Sequence, residues 1–181
     1  SSGLLGIPSK NDCVYCNYLK GVDTYLGRTI YENKYFFVMP SIGQFINSGK
    51  DHNTATYEQM LRLINDKNIK YSEPKTGDTI TLDSAVKIQV LHVDSTLSDN
   101  NDASIVLKVT YGQVSFLLQA DASKEIEAKI MKKYNVAATI LKAGHHGSDT
   151  SSSLSYVKAV KPSATILSYG AGNSYGHPHD E

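Results

Sequence analysis

The stretch "IVLKVTYGQVSFLLQAD", residues 105–121, sets the strongest limit on the fold. Two runs of alternating apolar and polar residues meet around Tyr111-Gly112. A period of two fits strands with one buried face, and a glycine at the junction fits a tight hairpin. The pattern then changes period. Residues 123–134, "SKEIEAKIMKKY", carry Ile126, Ile130 and Tyr134 on one helical face. "AATILKAG" reads as a short buried strand, "SSSLSYVKAV" as a helix with serine caps, and "SATILSYGAG" as a last strand. A hairpin passing into strand–helix–strand–helix–strand implies sheets covered by helices, an α/β (α+β) layered domain.

Upstream the signals are weaker. "RTIYENKYFFVMP", residues 28–40, reads as a buried strand, rich in aromatic and β-branched residues. Residues 41–55 are polar with two glycines and read as a loop. "TYEQMLRLINDKNI" sets Tyr57, Met60, Leu61 and Ile64 at helical spacing, with Thr56 available as a cap. Gly77-Asp78 marks a turn before two short strands, and "SDNNDAS" reads as a loop.

Composition excludes several classes. A chain of 181 residues suits one domain. Eighteen basic residues balance eighteen acidic ones, so no charged field advertises a nucleic-acid or membrane surface. Two cysteines cannot build a disulfide framework. No apolar run reaches membrane-spanning length, and no signal-peptide pattern opens the chain.

Chemistry collects near the end. Four of the six histidines, His145, His146, His177 and His179, lie in "KAGHHGSD" and "NSYGHPHDE". Both segments follow an apolar strand, as does Asp121 in "LLQADAS". Loops at the carboxyl ends of strands are where such sheets bind ligands. Imidazoles and a carboxylate suit zinc or manganese, and a metal-bound hydroxide attacks a phosphorus or carbonyl centre. Plainer readings stand beside this one. Asp121 could cap the helix after it, the His-His pair could be a surface turn, and the last histidines could belong to a tail. His52 and His92 read as ordinary loop and strand residues.

"NDASIVLKVTYGQVSFLLQADAS", "ATILKAGHHGSDTSSS" and "KPSATILSYGAGNSYGHPHDE" together resemble the metallo-β-lactamase-type hydrolase domain of the competence protein ComEC family. The resemblance runs from about Tyr31 to the end, and "VMPS" and "PKTGDTITL" also fit it. It implies an αββα sandwich over residues 31–181 with a metal site at one edge. Asp121 matches the family's bridging aspartate. One or other of His145 and His146, and His177, match metal-ligand positions, with Gly147 and Ser148 shaping the loop. The implied cofactor is Zn2+ or Mn2+, and three candidate ligand positions, where a dinuclear site needs about twice as many, leave room for one ion. Asp121 and His146 are the implied catalytic residues, with His146 or His179 protonating the leaving oxygen or orienting the phosphate. The implied substrate is a phosphate ester or the phosphodiester of DNA, and the implied location is extracytoplasmic.

One departure stands out. The family's H-x-H-x-D-H motif is absent from the chain. Where it belongs, "CVYCNYLKG" aligned without a gap puts Cys13, Tyr15, Asn17 and Tyr18 in place of the ligands, and aligned with a gap it lacks part of the motif. Two thiolates cannot close a four-ligand structural zinc site, so Cys13 and Cys16 read as part of a decayed loop. Residues 1–30 thus read as a remnant of the domain's first half or a linker. The expectation is a metal-dependent hydrolase with a degenerate first half, with or without a partner chain to complete its site. The alternative is an inactive pseudoenzyme kept as a binding or structural module.

Overall fold

A computed structural model describes residues 42–179, and residues 43–179 lie in one compact unit. The strand expected at residues 28–40 and the "CVYC" stretch lie outside the described residues.

The unit is a mixed α+β structure. Two short strands, β1 (Gln44–Ile46) and β2 (Lys70–Ser72), pair in parallel across helix α1 (Ala55–Asp66). β1 corrects the reading of residues 41–55 as loop throughout. Three residues are too few to show a period, and the strand is held from outside. Phe45 stacks on Tyr71 with ring centroids 6.3 Å apart, and Gln44 Nε2 donates to Ser72 Oγ at 2.7 Å.

α1 uses the expected stripe, with Ile64 buried and Tyr57, Met60 and Leu61 half-buried. Its cap is Thr54 rather than Thr56. Thr54 has extended backbone, and its hydroxyl accepts from the Tyr57 N–H at 3.2 Å. Thr56 already lies inside the helix, where it cannot serve the first orphan donors.

The larger sheet has the order β3-β4-β5-β6-β7-β8. β3 (Thr79–Asp83), β4 (Val86–His92), β5 (Val106–Tyr111) and β6 (Val114–Leu118) run as antiparallel neighbours. β7 (Ile140–Lys142) and β8 (Ala164–Ile166) then join in parallel. Parallel neighbours need a crossover. Helix α2 (Lys124–Lys133) supplies the first and helix α3 (Leu154–Val160) the second. Tyr111 pairs with Val114, so the hairpin turn is Gly112-Gln113, with the positive φ of +56° on Gly112.

Both helices share one core with the sheet. Leu91, Val106, Leu117 and Leu141 meet Ile126 and Ile130 of α2 and Tyr156 and Val160 of α3. Burying each large aliphatic side chain stabilises this layer by about 1.5–3 kcal/mol. Tyr134, expected on the α2 face, sits at the helix C-cap and is half-buried. β8 is exposed along its length, and Val114 and Leu118 of β6 are also exposed.

Candidate functional site

β6, β7 and β8 all end at the same edge, and three loops follow from that edge. The first holds Asp121, in a turn directly after β6. The helix cap of α2 is Ser123, two residues later, so the capping alternative for Asp121 does not hold. The Asp121 backbone N–H donates to Ser104 Oγ at 3.3 Å, which ties this turn to the loop before β5. A cleft of about 350 Å³ opens there, with Asp99, Asp102, Asp121 and His145 among its walls. Burial lowers the Lys142 pKa, while the Asp121 carboxylate pulls it the other way.

The second loop is a short 3-10 turn, Gly144–Gly147, directly after β7. His145 and His146 both adopt left-handed backbone, with φ of 44° and 56°. Such conformations cost about 1–3 kcal/mol each and persist only where the surroundings enforce them. Here the His145 N–H donates to Ala120 O at 2.9 Å, and the Ser148 N–H donates to His145 O at 2.9 Å. The two rings diverge. His145 Nδ1 meets Thr150 Oγ1 at 3.2 Å and His145 lines the cleft. His146 is exposed and its Nδ1 donates to Ser168 O at 2.7 Å. A carbonyl only accepts, so Nδ1 carries the proton and Nε2 is left for proton exchange.

The third loop carries "GHPH" after β8. It docks on the second through Gly147, whose carbonyl accepts from the His179 N–H at 2.9 Å. A side chain on Gly147 would stand 2.7 Å from Pro178 Cβ and 2.8 Å from Leu167 Cδ1, and its φ is +84°. Only glycine permits that approach. Docking brings His177 to His145, with ring centroids 5.5 Å apart, and to His179, at 4.9 Å. Tyr175 stacks on His177 at 5.8 Å. His179 Nδ1 accepts from the Asp149 N–H at 3.2 Å and lies 3.5 Å from the Asp149 carboxylate. His177 Nδ1 is buried and has no hydrogen-bond partner among the described residues. Burial lowers the His177 pKa, the neighbouring imidazoles lower it further, and Asp149 opposes them.

The structure thus groups His145, His177 and His179, sets Asp121 in the cleft that His145 lines, and turns His146 toward Ser168. The donor chemistry and the orphaned His177 nitrogen fit a transition ion. Among the described residues, however, no group of three or more His, Cys, Asp or Glu side chains is arranged to hold one. Asp121, His145 and His177 are therefore not grouped as a ligand set.

Sequence reading missed the support behind this edge. Glu127, Gln119 and Ser151 are buried polar residues there. The available signal was Glu127 lying next to Ile126 on the apolar stripe of α2. Of the two histidines read as ordinary, His92 is buried and its Nε2 donates to Asp102 O at 2.7 Å, while His52 packs edge-on against Tyr57.

ComE operon protein 3 of Bacillus subtilis is 30% identical over 139 residues, which cover 76% of this chain and 17% of that protein. Competence protein ComA of Neisseria gonorrhoeae is 39% identical over 82 residues, 44% of this chain and 12% of that protein. The chain is related to competence proteins. Recombination protein 2 of Haemophilus influenzae is a further relative, 37% identical over 87 residues, 46% of this chain and 10% of that protein. The chain spans 17% or less of the length of these curated relatives. No protein-family model matches it. No helix among the described residues is long and apolar enough to cross a membrane.

Proposed function

We propose that this chain is a metal-dependent hydrolase domain of metallo-β-lactamase type that cuts phosphate esters, with DNA phosphodiesters as the substrate class. In this reading the six-stranded sheet and its two helices form one half of an αββα sandwich whose other half is degenerate. The observation that carries the proposal is the meeting of two histidine loops, His145 beside His177, with a buried nitrogen on His177 that has no partner among the described residues. The name of the Neisseria relative, a competence protein, is the reason DNA is the substrate class proposed.

Asp121, His145 and His177 would hold one zinc or manganese ion. A bound ion would supply Lewis-acid activation of water and of a phosphoryl oxygen. The carboxylate of Asp121 would balance its charge. His146, anchored through Nδ1, would exchange a proton with the leaving oxygen through Nε2. His179, steadied by Asp149, would orient the phosphate.

A second reading is an inactive module that binds without cutting. Two observations favour it: the lack of three converging ligands among the described residues, and the missing H-x-H-x-D-H. Purified chain supplied with zinc or manganese and bis(p-nitrophenyl) phosphate separates the two. Ion-dependent release of nitrophenol that disappears in His177→Ala supports the hydrolase. No turnover, with retained binding of single-stranded DNA, supports the module.

A further inference from the structure

Glu127 is a carboxylate with no exposure, on the same face of α2 as Ile126 and Ile130. A buried charge is costly unless its oxygens are filled with hydrogen bonds. Here they are filled from one turn. Oε1 accepts from the Ser152 N–H at 2.5 Å and from Ser151 Oγ at 3.4 Å, and Oε2 accepts from the Ser153 N–H at 2.9 Å. Gln119 Nε2 reaches Oε1 at 3.5 Å, and Gln119 Oε1 accepts from the Tyr156 hydroxyl at 2.6 Å. These donors are all uncharged, and two of them are backbone N–H groups, so the carboxylate fixes backbone positions.

The turn it fixes grips the histidine loop. Ser152 has a left-handed φ of 56°, and its hydroxyl accepts from the Gly144 N–H at 2.9 Å. Ser151 lies so close that a Cβ on Gly144 would stand 1.9 Å from its Oγ. Gly144 leads directly into His145 and His146, both left-handed. Ala120, also left-handed, holds the His145 N–H from the other side. Four non-glycine residues in this unfavourable conformation therefore surround one buried hydrogen-bond network, and strain of that kind needs such a network to persist.

We propose that Glu127 is a positioning residue: through Ser152 and Gly144 its buried carboxylate holds His145 and His146 in their strained turn. The role in metal binding rests on the hydrolase reading above, whereas the orientation of the rings does not.

The test compares wild type, Glu127→Gln and a core control, Ile130→Val, in the full chain. The readouts are imidazole nitrogen–proton correlation spectra, zinc affinity by chelator competition, and melting temperature. Glutamine keeps the shape, yet its amide group meets one backbone N–H with another donor. Glu127→Gln is expected to shift or broaden the His145 and His146 ring signals and to weaken zinc binding about tenfold or more, the range for lost outer-shell support. Ile130→Val should lower the melting temperature without either change. Unmoved ring signals in Glu127→Gln overturn the proposal, as does an equal effect from Ile130→Val. If wild type binds no zinc, the metal reading fails and the ring signals alone decide the positioning role. If Glu127→Gln does not fold, Ser152→Ala takes its place; it cuts only the bond to Gly144 and should shift the same two rings, and unmoved rings again overturn the proposal.

Discussion

At the scale of single residues, the adjacent histidines have separate environments. His145 faces His177 and the cleft, and His146 is tied to Ser168 O. Under the proposed chemistry, His145→Ala should weaken metal binding by at least about tenfold, while His146→Ala should leave affinity nearly intact and lower turnover, the 10²–10⁴-fold range of general acid–base catalysis setting about the size. Isothermal titration with zinc and a rate assay separate the two. Equal, negligible losses of affinity would reduce the pair to a turn. The sequence made both histidines candidates because they follow an apolar strand. It did not distinguish them, since the difference lies in ring direction, set by φ at His145 and His146 and by a partner 22 positions from His146. Glu127 was harder still. Its partners come from the serine run at 151–153, which reads from sequence only as helix caps.

Among elements, those with a local pattern were legible, including the three-residue strands β7 and β8, which the strand–helix alternation announces. α2 and the β5–β6 hairpin follow from their apolar spacing. β1 and β2, three residues each, depend on pairing with one another, and no local pattern announces that. The start of α1 was misplaced because two threonines, Thr54 and Thr56, can both cap in principle. The structure gives that role to Thr54, through its bond to the Tyr57 N–H. Thr54→Ala should therefore cost about 1 kcal/mol in urea unfolding, and Thr56→Ala less than about half of that. A reversed order would mean that the helix starts later than described here.

For the whole molecule, charge restrains what the domain can do with nucleic acid. Eighteen basic residues against eighteen acidic ones give a formal net charge of +0. Affinity for DNA of arbitrary sequence comes mainly from phosphate neutralisation and counterion release. Fluorescence anisotropy with a random oligonucleotide at physiological salt should give a dissociation constant of about 100 μM or weaker, the weak end for nonspecific binders. A micromolar grip would show a basic surface that overall charge conceals. The edge where β6, β7 and β8 end was legible from the order of strands and helices. The docking of "GHPH" on Gly147 was not, because it needs two loops some thirty residues apart to meet.

The central claim is that this edge holds one ion through Asp121, His145 and His177. Elemental analysis of chain loaded with zinc or manganese and then desalted tests it most directly, with Asp121→Asn and His177→Ala run beside wild type. The account predicts one ion per chain in wild type and a clear loss in each variant that remains folded by circular dichroism. Two tightly held ions per chain, none in wild type, or an ion retained in both variants would contradict it.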